Sequence, residues 1–164
     1  MNQAAHDSKK PILIAFLLAI LVGGIGGAAT EIGPWYFGLV KPAWQPPDWA
    51  FGPIWTLIYI TTGIAGVRAW RLGDEQQQRY FLGALLLNCG LNLLWSLLFF
   101  KLQRPDWSLW EIGPLWLSVL AMVLHLRPYA PRAAMLLWPY LAWVTFAATI
   151  NWGVVQLNGP FGAA

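Results

Sequence analysis

Residues 81–100 read FLGALLLNCGLNLLWSLLFF, a stretch without a single charged side chain. The hydrocarbon core of a bilayer is about 30 Å thick, and a helix needs about 20 predominantly apolar residues to cross it. Backbone polar groups in lipid must be satisfied within the segment itself, and an α-helix achieves this. The stretch therefore predicts a membrane-spanning helix.

Four other stretches of similar length and composition occur along the chain, and none has a Lys or Arg in its interior. They lie at about residues 11–29, 51–69, 109–126 and 133–155. Together with residues 81–100 they use most of the 164 residues. The sequence thus predicts one domain, residues 1–164, with an all-α fold: an integral membrane bundle of five transmembrane helices.

The first stretch has two interpretations. Lys9 and Lys10, an apolar core over residues 12–22 and then GGIGGAA are typical of a cleavable signal peptide, which would leave four helices. Small residues at four-residue intervals, however, fall on one helix face and permit close helix packing in lipid. This pattern, which favours a retained helix, is formed by Ala15, Ala19, Gly23 and Gly27.

Composition excludes several classes of protein. Hydrophobic residues make up 58% of the chain and charged residues 10%, against about 25% charged in a soluble domain. The net charge is only +3, and the ten Lys and Arg residues are scattered between apolar runs, so nucleic acid is disfavoured as a partner. The single cysteine, Cys89, excludes an intrachain disulfide, and neither His6 nor His125 has a metal-ligand companion at helical spacing. The sequence also contains no GxSxG elbow and no Walker loop.

The basic residues predict an orientation. One side of the predicted bundle receives seven of them: Lys9, Lys10, Arg68, Arg71, Arg79, Arg127 and Arg132. The other side receives three: Lys41, Lys101 and Arg104. The positive-inside rule then places the N-terminus in the cytoplasm. Apolar helices in place of barrel strands favour the inner (cell) membrane.

The longest connection, residues 31–50, reads EIGPWYFGLVKPAWQPPDWA. Its four prolines rule out one regular helix. Its aromatic residues suit the headgroup layer, so the segment is either an interfacial anchor or a lid folded over the end of the bundle. The aromatic residues are Trp35, Tyr36, Trp44 and Trp49.

Intramembrane polar residues are informative because each is costly without a partner. In the third stretch, spacings of four, three and four place one set on a single helix face: Asn88, Asn92, Trp95 and Phe99. Such a stripe should face protein. It either joins helices through hydrogen bonds or forms the wall of a pocket.

Two other stretches carry comparable stripes. The second presents Trp55, Tyr59 and Thr62, and the fifth presents Tyr140, Trp143, Ala147 and Asn151. Pro139 is expected to kink or loosen the early turns of the fifth. Three such faces either enclose a cavity for a flat, largely apolar ligand or fill the centre of the bundle with rings.

These motifs, in this order, resemble the tryptophan-rich sensory protein/translocator protein family (TspO/MBR, also called the peripheral-type benzodiazepine receptor family). The resemblance rests on Trp35-Tyr36 and on three longer stretches. They are KPAWQPPDWAFGPIWTLIY at 41–59, LLLNCGLNLLWSLLFF at 85–100 and WPYLAWVTFAATINW at 138–152. One departure is the absence of the C-terminal cholesterol-recognition pattern of eukaryotic members.

The resemblance implies a homodimeric membrane protein that binds tetrapyrroles such as protoporphyrin IX or haem, and other flat hydrophobic molecules, with no obligatory cofactor or metal. It implies a pocket lined by the second, third and fifth helices under the first loop. Taken with the stripes, it gives the predicted ligand-binding residues Trp35, Tyr36, Trp44, Trp55, Tyr59, Asn88, Asn92, Trp95, Tyr140, Trp143 and Ala147. Lys41 or loop amides are expected to meet the propionates.

Three functions follow from this resemblance. The first is a membrane receptor or carrier for porphyrins. The second is a light-dependent porphyrin-degrading enzyme in which Trp55 and Trp143 would be the catalytic residues. The third is a regulator that senses stress or tetrapyrrole status and acts through a protein partner.

Overall fold

The computed structural model describes residues 32–162, and every regular element within them is helical. Four stretches in this range are long and apolar enough to cross a membrane: Asp48–Leu72, Glu75–Lys101, Pro105–Leu126 and Pro131–Asn158. They confirm an all-helical fold with membrane-spanning helices. The predicted first helix, at about 11–29, lies outside the described residues.

The elements follow one another with short connections after the first loop. Helix α1 (Pro34–Gly38) and a 3₁₀ turn (Asp48–Ala50) lie within that loop. Four long helices follow: α2 (Phe51–Leu72), α3 (Glu75–Ser96), α4 (Pro105–Leu126) and α6 (Trp138–Asn158). A π turn (Leu97–Lys101) extends α3, and the short helix α5 (Pro131–Leu136) precedes α6.

Helices α3 and α4 begin earlier than the apolar pattern predicts. The prediction of about 81 for α3 is wrong because a capping box starts the helix in polar sequence. The Asp74 carboxylate accepts a hydrogen bond from the Gln77 amide at 2.8 Å, and the Gln77 side chain accepts one from the Asp74 amide at 2.9 Å. Helix α4 starts at Pro105 and not at about 109, since proline is well suited to the first helical position.

The predicted fifth helix, about 133–155, is two helices with a break at Leu137. The Leu137 amide donates to the Ala134 carbonyl, and the Leu137 carbonyl accepts from the Leu141 amide, each at 3.1 Å. The chain therefore ends one helix and starts the next at a single residue. Pro139 falls in the first turn of α6, where its missing N–H requires no partner.

Helix α4 is central and packs against both α3 and α6, while α2 packs against α5 and α3. The buried face of α4 repeats at intervals of three and four residues: Ser108, Ile112, Leu115, Val119, Met122 and Leu126. Its opposite face carries Trp110, which is 84% exposed. Small residues on α2 (Ala65, Ala69) and α5 (Ala133, Ala134) are fully buried in the core between them, as expected where helices approach closely in lipid.

The two ends of the bundle differ in charge. Within residues 32–162, one end of the bundle is formed by the ends of α2 and α4 and the starts of α3 and α5. Five basic residues lie there: Arg68, Arg71, Arg79, Arg127 and Arg132. The other end, with the first loop, the π turn and the end of α6, has three: Lys41, Lys101 and Arg104. We call these the basic end and the loop end.

Candidate ligand-binding site

A chain of hydrogen bonds joins the polar residues of α3 to α4 and α6. The Asn88 side-chain amide donates to the Ser118 hydroxyl at 2.8 Å. The Tyr140 hydroxyl donates to the Asn88 side-chain oxygen at 2.9 Å, and the Asn92 amide donates to the Tyr140 hydroxyl at 2.7 Å. Three helices are thus held in register by four side chains.

This chain separates the roles of the two asparagines. Asn88 is 3% exposed, and both ends of its amide are engaged within the bundle. It therefore joins helices, and a ligand would have to break those bonds to reach it. Asn92 is only half-buried, and within residues 32–162 its side-chain oxygen accepts no hydrogen bond. The Asn92 side-chain oxygen can therefore accept a hydrogen bond from a ligand.

A second polar cluster lies nearer the loop end and centres on Asn151 of α6, which is 1% exposed. The Asn151 oxygen accepts from the Trp95 indole N–H at 3.1 Å and from the Ser108 hydroxyl at 2.8 Å. The Asn151 amide donates to the Pro105 carbonyl at 2.8 Å. One carboxamide thereby connects the end of α3 and the start of α4 to α6.

Aromatic rings from α2 and α6 meet beside Asn92. Trp55 stacks on Tyr59 with ring centroids 5.6 Å apart and contacts the Tyr140 ring edge-on at 6.2 Å. One turn further along α6, Trp143 is in edge contact with Phe51 at 5.5 Å and is 8% exposed. Two successive turns of α6 therefore present rings to the start of α2, Tyr140 to Trp55 and Trp143 to Phe51.

A second aromatic cluster gathers at the loop end around the π turn. Trp95 stacks on Phe99 at 5.1 Å, and Trp35 of α1 meets Phe99 edge-on at 5.9 Å. Tyr36 contacts Phe100 at 5.7 Å. In the π turn, the Leu102 amide donates a hydrogen bond to the Leu97 carbonyl at 2.9 Å. The turn contains Phe99 and Phe100, and both rings contact residues of α1.

The first loop is organised around Tyr36. Its hydroxyl donates to the Asp48 carboxylate at 2.8 Å, and it accepts from the Gln45 amide at 3.2 Å. The Lys41 ammonium pairs with Asp48 at 3.2 Å and lies 3.9 Å from the centre of the Tyr36 ring. Burial, and then the bond to Asp48, raises the pKa of Tyr36 above its usual value, so the phenol remains a donor at neutral pH.

Two residues of α6 hold the loop against the bundle. The Asn158 side chain accepts from the Val40 amide and donates to the Val40 carbonyl, both at 2.8 Å. At Gly153 an added Cβ would lie 2.9 Å from Pro42 and 3.1 Å from the Trp44 ring. The loop therefore covers the end of α6, an arrangement that favours the lid over the interfacial anchor.

Comparison with known proteins now adds to this geometry. The model of the TspO/MBR family matches residues 14–157. The chain belongs to the TspO/MBR family. It is 38% identical over 149 residues to the tryptophan-rich protein TspO of Archaeoglobus fulgidus, covering 89% of this chain and 96% of the relative. It is 34% identical over 150 residues to the human translocator protein (88% and 89%) and 32% identical over 147 residues to the tryptophan-rich sensory protein of Cereibacter sphaeroides (90% and 91%).

In this TspO/MBR protein the predicted site residues fall into two groups and two single positions. The first group, between α2, α3 and α6, consists of Trp55, Tyr59, Asn88, Asn92, Tyr140 and Trp143. The second, where α1 meets the end of α3, consists of Trp35, Tyr36 and Trp95. Trp44 lies apart on Gly153 and is 48% exposed. Ala147 lies one turn from both Trp143 and Asn151 and packs against the core.

Sequence reasoning missed four residues that build the site: Ser108, Ser118, Gly153 and Asn158. The serines stand alone in apolar sequence, which gives no hint of their partners. The pair Asn158-Gly159 at the end of an apolar run is a helix-stop signal, and that signal could have pointed to Asn158.

Proposed function

We propose that this TspO/MBR protein is a membrane receptor or carrier that binds protoporphyrin IX, haem or a related flat hydrophobic molecule. The observation that carries the proposal is the meeting of aromatic rings from two helices: Trp55 of α2 contacts the Tyr140 ring, and Trp143, one turn further along α6, contacts Phe51 of α2. Rings held in this way offer faces and edges to a planar guest, and each aromatic contact contributes about 0.5–1.5 kcal/mol beyond its buried area.

Burial of the macrocycle supplies most of the binding free energy, at about 25 cal/mol per Å² of apolar surface. The propionates remain near the loop end, where headgroups and water solvate them. Lys41 is already paired with Asp48, so a propionate would have to displace that carboxylate. Backbone amides of the first loop are the better partners, and Asn92 offers its amide oxygen to the pyrrole N–H groups.

Replacing Trp143 with phenylalanine tests the proposal. Trp143→Phe keeps a ring in the core but removes the larger indole face. We expect the dissociation constant for protoporphyrin IX, measured by quenching of Trp emission in detergent micelles, to rise about 2–10-fold. Trp55→Phe should act in the same direction.

Trp152→Phe is the matched control because Trp152 lies on the far side of α6 and is 52% exposed. It should leave the affinity unchanged. Equal affinities in Trp143→Phe and Trp152→Phe, or quenching that does not saturate in the unmodified protein, would contradict the proposal.

Light-dependent degradation of the bound porphyrin is the second candidate. It is favoured by the contact of the Trp55 and Tyr140 rings, which places two oxidisable side chains together. The side-chain amides of Asn88 and Asn92 hold the Tyr140 hydroxyl in place. Illumination of the aerobic complex should then replace the porphyrin spectrum with that of a new chromophore, more slowly in Trp143→Phe. An unchanged spectrum after illumination argues for binding alone.

The family assignment also supports a homodimer in the inner membrane, with the basic end in the cytoplasm under the positive-inside rule. Mass photometry of the protein in nanodiscs measures the oligomeric state, and protease access from each side of vesicles measures the orientation. A regulatory role through a protein partner stays a prediction.

A further inference from the structure

A cleft of about 450 Å³ lies at the basic end, on the opposite end of the bundle from the first loop. It forms where the last turns of α2 meet the start of α5. Its lining is largely apolar, and three arginine side chains border it: Arg68, Arg71 and Arg132, together with Leu72, Ala130, Pro131 and Ala133. Its volume falls within the range of about 300–1,000 Å³ that is typical of small-molecule sites.

Within the described residues, none of these three guanidinium groups forms an ion pair with a carboxylate. Among residues 32–162 the ion pairs join Lys41 to Asp48, Arg79 to Glu75 and Arg104 to Asp106, and none of them reaches the cleft. Arg68 and Arg71 are three residues apart on α2 and therefore neighbours on its surface, where like charges repel. An anion bound between the arginines would relieve this repulsion.

The position of the cleft identifies the kind of anion. Arg71 is in the last turn of a helix that is long enough to span the membrane, and Arg132 is at the start of the last span. We therefore expect these helix ends to lie at the depth of the lipid headgroups. The exposed Trp70 beside them suits the same layer.

We propose that this cleft binds the phosphate group of an anionic phospholipid. Guanidinium groups hold phosphate through paired N–H···O bonds, and arginine is the residue best suited to that geometry. The exposed apolar side chain of Leu72 provides a surface for the glycerol and the first methylenes. Basic pockets between spanning helices bind lipid headgroups in this way. The proposal is independent of tetrapyrrole binding.

The double variant Arg68→Gln/Arg132→Gln tests the proposal. Both side chains are exposed, so the bundle should still fold. Native mass spectrometry of the delipidated protein, titrated with phosphatidylglycerol, should show about tenfold or greater weakening of lipid binding, because hydrogen bonds to charged groups contribute about 1.5–3 kcal/mol. Quenching by protoporphyrin IX should not change.

Arg127→Gln is the control because Arg127 is exposed at the same end but does not line the cleft. It removes one positive charge, as each single variant Arg68→Gln and Arg132→Gln does, and unlike those it should retain the lipid. Inorganic phosphate that displaces phosphatidylglycerol at millimolar concentration would identify free phosphate as the ligand of the same site, and failure to displace it identifies the lipid. Equal weakening in Arg127→Gln and the double variant, or equal binding of phosphatidylcholine, would overturn the proposal.

Discussion

Asn151→Ala is expected to lower the free energy of unfolding in detergent by about 2–4 kcal/mol. The carboxamide of Asn151 makes three hydrogen bonds, one to Trp95 near the end of α3 and two to Pro105 and Ser108 in the first turn of α4. Its loss leaves the Trp95 indole N–H without this partner and leaves a small cavity. Measurements on membrane helices give about 0.6 kcal/mol on average for a single bond, so the three bonds contribute about 2 kcal/mol and the cavity accounts for the remainder.

The measurement is equilibrium unfolding in mixed micelles. Thr149→Ala is the control, because the Thr149 hydroxyl is exposed and bonds only to the Phe146 carbonyl of its own helix. That variant should change stability by less than about 0.5 kcal/mol. A double-mutant cycle with Trp95→Phe should show coupling, since both variants remove the same bond. Additive effects would mean that the bond contributes nothing to stability.

The spans and the polar faces of α3 and α6 follow directly from sequence, because helical periodicity fixes which side chains share a face. Asn88, Asn92 and Trp95 lie on one face of α3, and Tyr140, Trp143 and Asn151 lie on the side of α6 that meets it. What periodicity does not give is the partner. Whether Asn88 faces a ligand or a second helix depends on Ser118, which is thirty residues away in the chain.

Helix ends were predicted less well than helix faces, for a physical reason. The apolar pattern ends where the lipid ends, but hydrogen bonding continues into polar sequence when a cap is present, as Asp74 shows for α3. The surroundings of Lys41 also do not follow from the sequence. Lys41 or loop amides are expected to meet the propionates, and the loop fold brings Asp48 and the Tyr36 ring to the Lys41 ammonium, seven and five residues away.

The sequence left open whether the first loop is an anchor or a lid, and it could not give the contacts of the loop with α6, because these join residues more than one hundred positions apart. Gly153 makes these contacts possible. Real Cβ atoms do not approach other atoms as closely as a Cβ at this position would approach Pro42, 2.9 Å away. Pro42 is buried and its ring is rigid, so a side chain at position 153 has to push the loop off the helix.

Gly153→Leu is therefore expected to open the lid. Overpacking costs about 1–3 kcal/mol, and if tetrapyrrole binding requires the closed loop, the apparent dissociation constant for protoporphyrin IX should rise about tenfold or more. Gly153→Ala should have a smaller effect in the same direction. Residues 31–50 should also become more sensitive to limited proteolysis in both variants.

Gly113→Leu provides the comparison, since a Cβ at Gly113 of α4 would meet no atom within 4 Å. It adds the same side chain to an open helix surface and should alter neither the affinity nor the cleavage pattern. Faster proteolysis of Gly153→Leu with unchanged porphyrin affinity would show that the loop opens without consequence for binding, and the ligand would then reach the aromatic rings without passing under the lid. Unchanged proteolysis would mean that Pro42 and Trp44 do not rest on α6.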